Sequence, residues 1–345
     1  MKIAIHHRSG SFSDRWIDYC KQKEIPFKIV NCYDSNIISQ LKDCGALMWH
    51  HHHANYKDVL VAKSILNALD HASIKVFPNF KTGWFFDDKV AQKYLLEAVN
   101  APIIPSYVFY TKKEALEWVE TAKFPLVWKL KGGASGFNVK LIYKKKDAVS
   151  IIKRAFSKGF SQYNRWGSLK ERYKRYREGR GSQVDVLKGV GRLFYPTEFA
   201  RMKGPEKGYV YFQKFIPGNT ADNRIIIIDG KAFGVSRFIR KGDFKSSEFN
   251  GLSADKSDID LRCVKIAFEL SKKLKTQSLG IDFIFDEKNN PVIAEMGYGF
   301  IPKTYSDCPG YWDEQLNWHE GKFRTEDWMV ESVIKEIKNK SKINQ

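Results

Sequence analysis

Cysteine is scarce in this chain and poorly placed for chemistry. Cys20, Cys32, Cys44, Cys263 and Cys308 are odd in number and far apart. With no CxxC pair they suggest neither a zinc site nor a redox dithiol, and they are expected as reduced packing residues. No run approaches the roughly 20 apolar residues of a membrane span. The opening MKIAIHHRSG lacks the apolar core and small-residue cleavage site of a signal peptide, so a cytoplasmic protein is expected. Nucleotide signatures of the GxxxxGK(S/T) type, or GxGxxG opening a helix, are missing, as is a Ser-His-Asp or Cys-His set. Acids are outnumbered, 39 against 58 Lys and Arg in 345 residues, for a net charge of +19. Residues 153–192 alone hold 12 Lys or Arg against 3 acids, so an anionic partner is plausible.

What is present reads as an α/β protein of two or three subdomains. KIAIHH, PFKIVNCY, GALMWHH and IKVFPN, within residues 1–80, read as strands alternating with helical segments (DRWIDYCKQK, SNIISQLKD, VLVAKSILNAL), which implies a small open parallel sheet. A helix capped by Asp87 or Asp88 follows and stops before Pro102 and Pro105. Residues 106–143 give strand, helix, strand, glycine-rich turn and strand. The β pattern resumes at GYVYFQKFIPG, continues through NRIIIIDGKAFGVSRFIR, and ends, after an amphipathic helix over 258–274, in LGIDFIFDEKNNPVIAEM.

That last stretch reads as a hairpin. With EKNN as its loop, Asp286 faces Pro291, Phe285 faces Val292 and Asp282 faces Glu295. Two carboxylates directly opposed lie about 5 Å apart and repel; a divalent cation with oxygen ligands, such as magnesium shared with substrate phosphates, relieves the repulsion. A solvated hairpin with unpaired acids is the other reading. In WKLKGGASGFN, a strand delivers Lys129 into a loop with Gly132, Gly133 and Gly136, where backbone N–H groups can approach phosphate oxygens. A glycine turn with no nucleotide is the plainer alternative.

Together these stretches, over roughly residues 75–300, resemble the ATP-grasp superfamily, and within it the carboxylate-amine ligases of the ribosomal-protein glutamate ligase type. The resemblance implies an ATP-grasp fold with a small N-terminal open parallel α/β domain at 1–80, a first lobe at 81–205 and a second at 206–345. It implies ATP, with Mg2+ or Mn2+. Lys89 matches the first nucleotide lysine, Lys129 the second, and Gly132, Gly133, Ser135 and Gly136 the phosphate loop. Gln213, Lys214, Phe215 and Ile216 match the adenine segment, Asp222 the ribose ligand and Arg224 the group at the transferred phosphate or acceptor. RKGDFKSS adds Lys245, Ser246 and Ser247, while Asp282 and Glu295 fall on the metal positions. Two departures stand out: Gly297 replaces the usual third metal ligand, an asparagine, and Lys214 replaces a glutamate. The implied reaction activates a carboxylate as an acyl phosphate that an amine attacks, giving an amide, ADP and phosphate; small or saccharide-linked acids are the expected substrates. A hydroxyl-phosphorylating kinase and a degenerate ATP- or polyanion-binding module are the alternatives.

Residues 161–205 read as a basic insert. Trp166, Leu169, Tyr173 and Tyr176 share one helical face, with cations over much of the rest. The face either docks on the protein, meets an anionic membrane surface as a peripheral contact at the inner face of the membrane, or binds a polyanion through 165–180; no nucleic-acid fold signature accompanies it, which disfavours that branch. The aromatic segment 305–323 reads as an acceptor-pocket wall or a cap over the core. Finally, His50–His53 end the third strand as His6 and His7 end the first. Alternate residues of an extended segment point to opposite sides, so the four cannot converge on one ion. His6, His7, His50, His52, Arg237 and Arg240 are the expected acceptor contacts, with solvated charge the other reading for the two arginines.

Overall fold

The computed structural model describes residues 2–132, 138–161, 165–177, 179, 181–195, 198–239 and 251–343. They form two compact units, one built from 1–86, 94–103 and 216–345, the other from 87–93 and 104–215.

In the first unit, β1 (Lys2–His6), β2 (Phe27–Val30), β3 (Cys44–Trp49) and β4 (Lys75–Phe77) form the expected parallel sheet, in the order β2-β1-β3-β4. Helices α1 (Phe12–Gln22) and α2 (Tyr56–His71) connect strands of this sheet. Ser11 accepts from Ser13 N–H and Asn55 from Lys57 N–H as their N-caps. SNIISQLKD does not make a full helix. It supplies one turn, Ile37–Gln40, whose capping position Asn36 makes no side-chain bond to a helix N–H and accepts from the Gln40 side chain instead.

The second unit opens with the start of α3 (Lys89–Ala98), where Asp88 Oδ1 accepts from the N–H groups of Val90 and Ala91. Then come β5 (Ser106–Phe109), α4 (Lys112–Thr121), β6 (Leu126–Lys129), β7 (Val139–Ile142) and α5 (Lys145–Ala155). The insert carries two helices of ten or more residues rather than one, α6 (Arg165–Arg177) and α7 (Gln183–Phe194), followed by the short helix Glu198–Lys203. Strand β8 (Val210–Lys214) returns to the middle of an antiparallel sheet ordered β5-β8-β6-β7.

Back in the first unit, β9 (Ala221–Ile228), β10 (Lys231–Phe238), α8 (Leu261–Leu274), β11 (Ser278–Phe285), β12 (Pro291–Gly297), β13 (Gly310–Trp312), β14 (Trp318–Glu320) and α9 (Thr325–Ile343) complete the chain. The sheet runs β12-β11-β9-β10-β13-β14, with Leu252–Ser253 also pairing with β10. One face of β9 and β11, carrying Ile225, Ile227, Leu279, Ile281 and Phe283, is buried beside α8. The other buries Ile226, Ile228, Phe233 and Val235 in a core that also contains Ile3, Ile5, Phe12, Trp16, Met48, Phe77 and Trp328. Residues 1–80 therefore have their own sheet and, on the face toward α2, a core drawn from that segment alone (Ala4, Val30, Leu47, Trp49, Leu66 and Val76), while the sheet's other face shares its core with β9 and β10. The aromatic segment after β12 belongs to that core as a cap. Tyr305 packs edge-on against Phe233, and Phe323 stacks on Trp328.

The hairpin departs from its expected register by one residue. Asp286 accepts the N–H groups of Lys288 and Asn290, so it belongs to the turn, and Phe285 rather than Asp286 pairs with Pro291. A bulge between Phe283 and Asp282 leaves Ala294 without a partner and returns Asp282 to Glu295, as expected. At the bulge, Ile293 N–H donates to Pro102 O at 2.7 Å.

Candidate functional site

Within the first unit, strand pairing assembles a charged row. Asp222 and Arg224, two apart on β9, share a face. Arg237 of β10 lies opposite Asp222, Asp282 of β11 opposite Arg224, and Glu295 of β12 opposite Asp282. Arg237 Nε donates to Asp222 Oδ1 at 2.9 Å and Nη2 to Oδ2 at 2.5 Å, while Nη2 also reaches Asp282 Oδ2 at 2.7 Å. Arg224 Nη1 lies 3.1 Å from Asp282 Oδ1, and its Nη2 donates to Gly299 O at 3.4 Å.

Burial opposes charge on Arg237, which is 7% exposed, but Asp282 and Asp222 outweigh it and hold the guanidinium pKa well above its ordinary value. Arg237 is thus an internal bridge between two carboxylates, which corrects its reading as a solvated charge. Both oxygens of Asp222, itself 3% exposed, are engaged by that guanidinium, a different partner from the ribose that the resemblance implies.

Asp282 and Glu295, opposed across β11 and β12, are hard oxygen donors of the kind that would suit a magnesium ion. Among the described residues no group of three His, Cys, Asp or Glu side chains converges on a metal site. An aromatic ring borders Gly297 and crowds Gly299: a Cβ added at Gly297 would lie 3.4 Å from Phe86 Cδ2, and one added at Gly299 3.2 Å from Phe86 Cε2. Phe86 in turn packs 4.6 Å from Tyr298 and 5.5 Å from His51, centroid to centroid.

The histidine run therefore meets the end of β12. Tyr298 OH donates to His51 O at 2.8 Å. His50 stacks on Phe12 at 3.7 Å and its Nδ1 accepts Phe12 N–H. A Cβ on Gly299, whose carbonyl Arg224 contacts, would lie 3.8 Å from His50 Nε2. Burial pushes His51 down to about 3, and His50 well below its ordinary value. His52 stacks on His53, and its Nδ1 accepts Ala54 N–H. His7 is exposed beside Ser13 and Asp14. His6 is packed between Tyr33 and Trp49 and accepts Cys32 N–H, which makes it part of the sheet's interior rather than a presented contact.

Lys89, Lys129 and Gly132, expected on the phosphate side, lie in the second unit. Lys89 N–H donates to Lys131 O at 3.0 Å, which places the start of α3 against the residue just before Gly132. Lys131 N–H donates to Tyr209 OH at 2.8 Å, Tyr209 OH donates to Glu206, and Lys131 Nζ lies 3.3 Å from Asp88. Sequence reasoning missed Lys131, Tyr209 and Glu206; the lysine stood inside the motif, but nothing marked its partners. In the adenine segment, Gln213 is 3% exposed and donates to Ser106 Oγ, while Lys214 N–H donates to Pro105 O. Phe215 and Ile216 follow β8 and are partly exposed and buried, respectively. Gly133, Ser135, Gly136, Arg240, Lys245, Ser246 and Ser247 lie outside the described residues, as does the Trp166 side chain.

Residues 201–299 match the RimK-like ATP-grasp domain. A RimK domain ATP-grasp protein from Sphaerobacter thermophilus superposes with a TM-score of 0.56 at 12% identity, covering 97% of this chain and all of that one. A D-cycloserine synthetase gives 0.57 at 14% identity, over 96% of this chain and all of that chain. The protein has an ATP-grasp fold. A glutathione synthetase from Prochlorococcus marinus subsp. pastoris is 40% identical over 80 residues, 22% of this chain and 26% of that protein. The chain thus matches about a quarter of the length of that curated relative. Within the ATP-grasp fold, the Asp282–Glu295 pair lies inside the RimK-like segment, as do Asp222, Arg224 and Arg237.

Proposed function

We propose that the protein is an ATP- and magnesium-dependent carboxylate-amine ligase. The observation that carries this reading is the in-register opposition of Asp282 and Glu295, with Arg224 on the next strand, inside the RimK-like segment. Asp282 and Glu295 would hold magnesium, or manganese in its place; the ion would neutralise charge on phosphoryl oxygens. Lys89, Lys129 and the glycine-rich loop take the nucleotide phosphates. The backbone of 213–216 takes the adenine. Asp222 orients Arg237, and Arg224 faces the transferred group.

A substrate carboxylate oxygen bonds to the γ-phosphorus as the bridging oxygen leaves with ADP. An amine then attacks the acyl carbon and loses a proton, and phosphate departs. These steps need positioning and charge neutralisation, not a protein nucleophile. The acceptor is a small or saccharide-linked acid, received beside His50, which lies near Gly299, whose carbonyl Arg224 contacts.

The test is incubation with ATP, magnesium and a panel of carboxylates in the presence of hydroxylamine, reading ADP and hydroxamate. Hydroxamate that requires both ATP and the carboxylate is expected, and Glu295→Gln should abolish it. A stable phosphorylated product without hydroxamate would replace the ligase by a kinase. Full activity of Glu295→Gln would sink the metal assignment.

A further inference from the structure

The insert exposes apolar surface that nothing in the proposed reaction uses. On α7, Val186, Gly189 and Leu193 fall on one side; a Cβ on Gly189 would sit 3.0 Å from Leu169 Cδ1 of α6, which fixes that side as the one packed between the helices. Val184, Leu187 and Val190 recur three apart on an adjoining, outward side and are 56%, 68% and 40% exposed. Lys188 and Arg192 flank them. A groove of about 370 Å3, lined by Leu169, Lys170, Tyr173, Val186 and Val190, continues the stripe onto α6, where Tyr173 and Tyr176 are also exposed. Residues 165–195 carry nine Lys or Arg against three acids, and one of those acids, Asp185, lies 3.9 Å from Arg172.

We propose that the α6–α7 hairpin is a peripheral docking surface for an anionic lipid bilayer. Charge complementarity selects an anionic occupant. The aliphatic character of the stripe selects a bilayer among anionic ones: valine and leucine gain by leaving water for the acyl boundary, whereas bases stack on aromatic faces and sulfated sugars offer no apolar phase. The tyrosines suit the headgroup level, with an apolar body and a polar tip. No described helix is long and apolar enough to cross a membrane, so the hairpin lies on the surface rather than spanning it. This inference is independent of the ligase reading.

The test is co-sedimentation of the full chain with phosphatidylglycerol/phosphatidylcholine vesicles and with pure phosphatidylcholine vesicles, repeated at rising salt and with heparin as a soluble polyanion. Binding to the anionic vesicles alone is expected, weakened by salt as surface charges are screened. Leu187→Asp should reduce it at least tenfold with an unchanged thermal unfolding curve, since Leu187 is more than half exposed. Lys170→Glu should lower it independently, and ATP turnover should not respond to either. Absence of sedimentation at low salt overturns the proposal. So does vesicle binding that Leu187→Asp leaves intact, or heparin binding of equal strength and equal indifference to that variant, which would mark a plain polyanion site.

Discussion

Arg237 grips Asp222 through two parallel hydrogen bonds, at 2.9 and 2.5 Å, and extends the same Nη2 to Asp282. The carboxylate at the candidate metal position is thereby tied to a second, buried one. Removing one partner of such a group leaves uncompensated charge in a dry setting, which costs on the order of 3–5 kcal/mol. Arg237→Gln should lower the urea midpoint accordingly. Arg237→Lys should recover only part, because an ammonium lacks the planar fork.

The buried histidines set an acid limit on stability. Above pH 6.5, His51 is neutral both folded and unfolded. Below it the unfolded chain takes up a proton that the folded chain refuses until about pH 3, so stability falls through that window as pH falls. The loss is about 1.4 kcal/mol per pH unit, or about 2 kcal/mol between pH 6.5 and 5, with His50 shifted in the same direction. Denaturant titrations at pH 7.5 and 5.0 should show this drop, and His51→Phe should flatten it. A pH-independent midpoint over that range would mean that both rings accept protons in the folded state.

Patterns confined to a few residues were legible in the sequence. The four parallel strands and the Asp282–Glu295 opposition both follow from alternation and turn chemistry. The register between them did not: the expected loop slipped by one residue and met the right pair again only because of the bulge at Ala294, where Ile293 is held by Pro102, some 190 positions earlier. Arg237 read as an acceptor contact or a solvated charge because its partners depend on how β9 meets both β10 and β11. Phe86, His51 and Tyr298 meet through contacts across more than 200 residues, which no window contains. Helix α7 escaped notice because half of its apolar positions face outward, contrary to the rule that apolar residues mark the buried side.

Gly297 can be tested as a ligand position. An added Cβ meets only Phe86, at 3.4 and 3.7 Å, which is ordinary contact. Gly297→Asn should fold, and it would restore the third oxygen donor implied by the ATP-grasp resemblance. The magnesium concentration for half-maximal turnover should fall about tenfold, equivalent to ~1.4 kcal/mol. An unchanged value in a folded variant would show that Phe86 keeps the new amide out of the metal's reach.

Tyr209 ties the glycine-rich loop to the end of the insert. Burial and Glu206 raise its pKa above the ordinary value, so the hydroxyl stays protonated to donate to Glu206 while it accepts Lys131 N–H. Tyr209→Phe leaves that N–H without its partner, a cost of about 1–3 kcal/mol. Because Lys131 O also receives Lys89 N–H, the loosening acts on two of the segments proposed to hold phosphate. Affinity for a non-hydrolysable ATP analogue, measured by calorimetry, should fall roughly fivefold, or about 1 kcal/mol. Unchanged affinity alongside lowered stability would restrict Tyr209 to packing between the insert and β8.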